Sequence, residues 1–232
     1  AFFLFLGVMP WVALAATRVA YAATTGAGTR RIGGGLGLVL RDARWFPFLF
    51  TGFAAGLGLA MVAFFLPLHL RDLGGSLTVI GVAMAVPAIS EIPFMVFGGA
   101  LLAAVGPRRL LIGAVATLAL RLLLSGVIPD STALVAVQLL HGPSFGVLLV
   151  AGVTYARELA PLGSRAVAQG LFAAVTGGLG SFAGSILGGA VYGAWGGSGT
   201  FLVAAAVTAV AAVMLAAWRP VPAVVPEVPA PG

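Results

Sequence analysis

The sequence predicts an all-α membrane protein with about seven transmembrane helices. Hydrophobic residues make up 61% of the chain and charged residues only 8%, whereas an ordinary soluble domain carries roughly 25% charged residues. The apolar residues form seven runs separated by Gly, Pro and Arg, and crossing a bilayer takes about 20 such residues. A soluble fold needs a polar surface that this composition does not supply, so we expect lipid around the helices.

The first apolar run has two interpretations. It ends in Ala20-Tyr21-Ala22, which is similar to a signal-peptide cleavage site, but no basic segment precedes it in the sequence. The arginines that follow it favour a cytoplasmic segment, and therefore a true span. The predicted spans are 1–20, 45–69, 77–105, 110–128, 132–156, 166–192 and 199–218.

Arginine placement predicts the orientation of the chain. All twelve basic residues are arginines; nine lie in predicted inner segments and one, Arg71, lies in a predicted outer loop. Because short basic loops stay in the cytoplasm, we expect a multi-pass protein of a bacterial inner membrane with a cytoplasmic C-terminus. The inner segments are 22–44, 106–109, 157–165 and 219 onward, and the outer loops lie near 70–76, 129–131 and 193–198.

Two segments outside the spans have the composition of loops. Residues 21–44 are rich in Gly and Arg and are predicted to form a cytoplasmic linker. Residues 219–232 are rich in Pro and are predicted to be a disordered cytoplasmic tail. Between them, residues 45–218 hold six of the spans.

A row of glycines marks the span 166–192. Gly180, Gly184 and Gly188 recur every four residues and therefore share one helical face. Small residues allow two helices to approach closely within a bilayer. Close packing is the favoured interpretation, and a sliding surface for conformational change is compatible with it.

Three ionisable residues fall near the middle of consecutive spans, namely Glu91, Arg121 and His141. A charge at the centre of a transmembrane helix costs on the order of 2.5–3.5 kcal/mol on insertion scales. Such residues usually face a cavity or one another, so a shared site is expected. Gln138 and Phe145 lie on the same helical face as His141 and extend that site.

Each of these residues has a structural alternative. Glu91 lies between Pro87 and Pro93, where it could carry a proton or pair structurally with Arg121. Arg121 suits a substrate carboxylate, Glu91, or a position extended toward the membrane surface. His141 could contact an aromatic or sugar-like ligand or be a satisfied structural residue.

Several classes of function find no support in the sequence. The basic residues are scattered between apolar stretches, which does not suggest a nucleic-acid partner. The sequence contains no cysteine, and its two histidines lie in different environments, so no metal site or cofactor is predicted. Ser144 lacks the partners of a catalytic serine, and we expect no enzymatic activity.

Several motifs resemble the major facilitator superfamily of transporters. Gly99-x-Leu101 followed by Gly106-Pro107-Arg108-Arg109 is similar to the cytoplasmic loop motif of that superfamily, with Ala103 where an acidic residue is usual. The stretch 138–146, together with 90–93 and 169–172, resembles the phenylpropionate-permease-like branch, which is similar to lactose permease and nucleoside symporters.

The resemblance implies an arrangement and a role for the chain. Residues 45–218 would be the six-helix carboxyl-terminal half of a transporter, made of inverted repeats at 45–128 and 132–218, and residues 1–20 would be the last helix of a missing N-terminal half. Glu91, Arg121 and His141 would line a substrate and proton pathway, together with Gln138 and Phe145. The glutamate that lactose permease carries one turn after its histidine is replaced by Ser144, so Glu91 or the missing half would carry the proton.

A proton-coupled symporter of a small polar or aromatic solute, working by alternating access, is the function these features favour. Its partners would be a small-molecule substrate, protons, the lipid bilayer and the missing N-terminal half. Proton-exchange efflux of drugs or metabolites is a second possibility, and a non-transporting membrane scaffold subunit is a third.

Overall fold

A computed structural model of the chain describes residues 44–161 and 163–218. These residues are helical apart from short connections. The predicted span 1–20, the tail 219–232 and, except for Arg44, the linker 21–44 lie outside the described residues.

Five helical stretches in this part of the chain are long and apolar enough to cross a membrane. The first three are α1 (Trp45–Asp72), α2 (Leu77–Val105) and α3 (Pro107–Val127). The fourth, α4, covers Ser131–Leu159, and the fifth covers Arg165–Ala217.

The fifth stretch contains two transmembrane segments. Its 53 residues would extend about 80 Å as one helix, against a hydrocarbon core of about 30 Å. Gly196 has φ 67° and ψ −169°, a backbone conformation that breaks the helix and that glycine adopts readily. We therefore distinguish α5 (165–195) from α6 (197–217). The break falls inside the outer loop predicted at 193–198, and the predicted all-α membrane fold is confirmed.

The connections between helices are short and locally stabilised. Ser76 precedes α2, and its Oγ accepts a hydrogen bond from the backbone N–H of Val79 at 3.3 Å. Asp130 precedes α4 and accepts from the N–H of Ala133 at 2.5 Å. Gly106, with φ 82°, is the single residue between α2 and α3. These caps and turns end each helix within three residues of the predicted span boundaries.

The six helices pack in pairs that fit an inverted repeat. Helix α1 packs against α5, α2 against α4, and α3 against α6. If α1–α3 and α4–α6 are equivalent repeats, then α1 is equivalent to α4, α2 to α5 and α3 to α6. The contact of α1 with α5 is then equivalent to that of α4 with α2, and the contact of α3 with α6 is equivalent to itself. This correspondence is what two inverted three-helix repeats require.

Helix α2 is the least buried of the six. Its buried residues are Ala83, Ser90 and Gly98, and the rest of its surface is largely exposed although it is apolar. Since water does not tolerate so large an apolar surface, the helix needs lipid or another protein segment around it. Ser90, adjacent to Glu91, marks the face that turns inward.

Candidate functional site

A backbone contact between α2 and α4 positions the site. Ser90 Oγ donates a hydrogen bond to the Pro87 carbonyl at 2.8 Å and accepts one from the Gly142 N–H at 3.0 Å. A Cβ at Gly142 would lie 1.9 Å from the Ser90 carbonyl oxygen, so only glycine permits the approach. Because Glu91 follows Ser90 and His141 precedes Gly142, this contact brings the carboxylate and the imidazole together.

Glu91 and His141 are in contact near the middle of the helices that carry them. His141 Nε2 lies 2.7 Å from Glu91 Oε1, and the two side chains are 15% and 19% exposed, respectively. Both side chains are therefore not fully enclosed by the described residues.

Arg121 completes the network from α3. Its Nη1 lies 2.6 Å from His141 Nδ1, while Nε and Nη2 donate to Gln138 Oε1 at 3.1 and 2.5 Å. Gln138 in turn donates from Nε2 to the Leu134 carbonyl at 3.0 Å. Arg121 is 1% exposed, so it contacts the open side of the site only through His141.

The donors and acceptors of this network define the state of His141. Arginine has only donors, so Nδ1 of His141 must accept from Arg121. We therefore assign the histidine proton to Nε2, from which it is donated to Glu91. The site presents an ionisable carboxylate, an imidazole of fixed orientation and, behind them, a buried cation.

Phe145 extends the site along α4. Its ring stacks on the His141 ring with centroids 5.0 Å apart and an angle of 23°. The turn Gly142–Gly146 that carries it is π-helical and follows a short 3₁₀ turn at Gln138–Leu140. Such irregular turns inside α-helices are frequent at functional sites, and this one directs Gln138, His141 and Phe145 toward the same region.

The structure thus joins the five residues of the predicted substrate and proton pathway into one cluster. A role in transport stays a prediction for each of them. Among residues 44–161 and 163–218, no three His, Cys, Asp or Glu side chains could together hold a metal ion.

The predicted cytoplasmic loop motif has a defined contact. Arg108 Nη2 donates to the carbonyls of Leu215 and Ala216 at 2.7 and 3.3 Å, and also to that of Trp218. These carbonyls lie at the end of α6, where the helix leaves acceptors unpaired. Arg108 therefore caps α6 from the start of α3, whereas Arg109 is exposed and Gly99 has open space beside it.

The predicted packing glycines lie against α1. A Cβ would come within 2.6 Å of the Phe53 carbonyl oxygen at Gly180 and within 2.5 Å of the Leu57 carbonyl oxygen at Gly184. At Gly188 it would lie 2.5 Å from the ring of Phe65. Gly180 and Gly184 therefore require a residue without a side chain for α5 to approach α1 this closely, whereas at Gly188 the nearest atoms belong to the side chain of Phe65.

Sequence reasoning missed two determinants of the site. It assigned no role to Ser90 and Gly142, although both lie in stretches that carry the family resemblance. It also missed the π-helical segments at 142–146 and 174–180, which no hydrophobic pattern indicates. The two glycines and the proline within 142–146 were the available signal.

Known proteins provide three comparisons. A model described as the MFS_1 like family matches residues 3–203. Maltose permease of Geobacillus stearothermophilus is 34% identical over 128 residues, which are 55% of this chain and 32% of the permease. The crystal structure of the nucleoside transporter NupG matches with a TM-score of 0.72 at 21% identity, covering 82% of this chain and 53% of that one.

These comparisons agree on the fold and the superfamily. The chain spans about a third of the length of the permease and about half of the NupG chain. At 21% identity the NupG match shows a shared fold. Since the family model extends over most of the sequence, the chain belongs to the MFS_1-like family of the major facilitator superfamily.

Proposed function

We propose that this chain is the carboxyl-terminal half, with one preceding helix, of a proton-coupled symporter for a small polar or aromatic solute. The solute is of the sugar or nucleoside type, in keeping with a relative named maltose permease and a structural match named as a nucleoside transporter. The complete protein works by alternating access in a bacterial inner membrane, with the missing N-terminal half forming the other side of the pathway.

The contact chain from Glu91 through His141 to Arg121 is the observation that carries this proposal. A buried cation and a carboxylate in mid-membrane are costly to maintain, and α2, α3 and α4 each supply one member. A structural pair is usually enclosed by its own fold, yet Glu91 and His141 are both partly exposed at the surface of these helices. The partly open side of the network is where a solute hydroxyl or carbonyl binds.

Protonation of Glu91 changes the charge of the network. With Glu91 ionised, its charge offsets that of Arg121, and the cluster is neutral. With Glu91 protonated, the carboxyl remains a hydrogen-bonding partner but the charge of Arg121 is no longer offset. A solute that binds one of these states better than the other is thereby coupled to the proton.

Two rival functions differ in what they predict. Proton-exchange efflux of drugs or metabolites would use the same residues but move solute against the direction of the proton. A scaffold subunit that kept the fold without transporting would show no solute flux at all.

Substitution of Glu91 tests the proposal. The complete transporter is reconstituted in vesicles with an inside-alkaline pH gradient, and uptake of radiolabelled maltose and uridine is measured. We expect the wild-type protein to accumulate one of them, and Glu91→Gln to abolish gradient-driven accumulation because the side chain can no longer take up a proton.

The control is Glu158→Gln, the same change at an exposed glutamate at the end of α4, which should accumulate solute like the wild type. Undiminished accumulation by Glu91→Gln would refute the coupling role. Flux in the opposite direction would establish exchange, and absence of flux with every solute in the wild type would favour the scaffold.

A further inference from the structure

A large apolar cavity lies beside the network. Its volume is about 530 Å³, within the range of pockets that bind small molecules. Helices α1, α4 and α5 line it, and we call it the apolar chamber. Its walls include Leu59 and Phe64 from α1, Phe145 and Leu149 from α4, and Phe172 and Gly177 from α5.

The chamber offers few hydrogen-bonding side chains. Only Thr176 and Ser181 among the lining residues carry a hydroxyl, and Ser181 Oγ already donates to the Thr176 carbonyl at 3.4 Å. A sugar ring placed there would lose the water partners of most of its hydroxyls and find few replacements, which is unfavourable for each group left unsatisfied. An apolar or aromatic group would instead gain from leaving water.

Phe145 joins the chamber to the polar network. The ring of Phe145 stacks on that of His141, and Phe145 also lines the chamber. A single small molecule can therefore contact the Glu91 and His141 side chains with one end and the chamber with the other.

Irregular helix turns form two walls of the chamber. Phe145 belongs to the π-helical turn Gly142–Gly146, and Thr176 and Gly177 belong to the π-helical segment Ala174–Gly180. The second segment is held against α1, since a Cβ at Gly56 would lie 1.9 Å from the Thr176 carbonyl oxygen. Two such segments facing one cavity are a feature of ligand sites more than of simple helix packing.

We infer that the apolar chamber binds an aromatic or other apolar part of the transported solute, while a hydrogen-bonding part of the same molecule contacts Glu91 and His141. This inference rests on the proposed transport function and narrows its substrate class. The preferred solute is amphipathic, such as an aryl glycoside or a nucleoside, in place of a sugar that carries hydroxyls on every side.

Two ligands that differ only in an aromatic group test the inference. Binding of maltose and of 4-nitrophenyl α-maltoside to the purified complete transporter is measured by titration calorimetry. We expect the aryl compound to bind at least about tenfold more tightly, because burial of an aromatic ring exceeds the roughly 1.4 kcal/mol that a tenfold change requires.

A matched pair of variants locates the effect. Gly177 and Gly178 are neighbours in the same π-helical segment, and a Cβ at either meets nothing within 4 Å, but only Gly177 lines the chamber. Gly177→Leu should fill the chamber, so that the aryl compound no longer binds more tightly than maltose. Gly178→Leu should leave the tighter binding of the aryl compound unchanged. If Gly177→Leu does not fold, Ala63→Phe fills the chamber from α1.

The remaining outcomes overturn the inference. Equal affinities for the two ligands in the wild type would mean that the chamber takes no aromatic group. If Gly177→Leu changes the affinity for both ligands equally, the chamber does not bind the aromatic group. It would then be a space into which helices of the other half pack. If neither ligand binds but gradient-driven flux of another solute persists, the inference fails while the proposed transport function stands.

Discussion

Arg121 acts through its neighbours and not by direct contact with the open side of the site. Its guanidinium is 1% exposed and donates to Gln138 and His141. Because arginine only donates, it holds the Nδ1 atom of His141 as an acceptor and so directs the Nε2 proton at Glu91. Arg121 therefore fixes the orientation of His141, and the partly exposed members of the network are Glu91 and His141.

Arg121→Met should strongly destabilise the protein. The change leaves Gln138 Oε1 and His141 Nδ1 without their donor and removes the positive charge that offsets Glu91, and breaking a buried charge network typically costs about 3–5 kcal/mol. Arg109→Met makes the same change at an exposed arginine of α3 and should cost less than about 0.5 kcal/mol. Thermal unfolding of the purified complete transporter compares them, and equal melting temperatures would contradict this view of Arg121.

At the scale of elements, the crossing of α2 and α4 decides whether a site forms. Neither helix holds both the carboxylate and the imidazole, and their separation follows from the approach of Ser90 to Gly142. The distance of 2.7 Å between His141 Nε2 and Glu91 Oε1 is therefore a property of this crossing and not of either helix alone.

Gly142→Ala should abolish gradient-driven uptake. The new methyl group would lie 1.9 Å from the Ser90 carbonyl oxygen, so the helices must separate and the contact of Glu91 with His141 must lengthen. Gly113→Ala in α3 is the control, since a Cβ there meets nothing within 4 Å and the change should stabilise the helix by about 0.5–1 kcal/mol. Normal uptake by Gly142→Ala in the vesicle assay would show that the crossing tolerates expansion.

The sequence was sufficient for the helices but not for their pairing. Hydropathy predicted the spans because crossing a bilayer requires a long apolar run. Glu91, Arg121 and His141 stood out because an ionisable side chain in the middle of a span is energetically costly. Which of these three side chains contact one another depends on how the helices are aligned. That alignment is set by contacts between residues distant in the chain, such as Ser90 and Gly142. The apolar chamber depends on π-helical turns in α4 and α5. Hydropathy does not indicate either turn, and only the first is marked by two glycines and a proline, within 142–146.

At the scale of the whole molecule, the six helices form a unit with unsatisfied surfaces. Helix α2 exposes most of its apolar side chains, and the apolar chamber opens between α1, α4 and α5. In the proposed transporter, the other half covers part of these surfaces, and the solute pathway lies between the two halves. We propose that the network and the chamber face an aqueous pathway and not lipid.

Cysteine accessibility tests that claim most directly. Leu149 lines the chamber and is 38% exposed, whereas Val213 on α6 is 68% exposed and should face lipid. Each is replaced by cysteine in the complete transporter, and a membrane-impermeant thiol reagent is applied to vesicles of either orientation. We predict that Leu149→Cys reacts and is protected by 4-nitrophenyl α-maltoside, while Val213→Cys does not react. Failure of Leu149→Cys to react from either side would place the chamber in lipid or sealed protein and contradict the account.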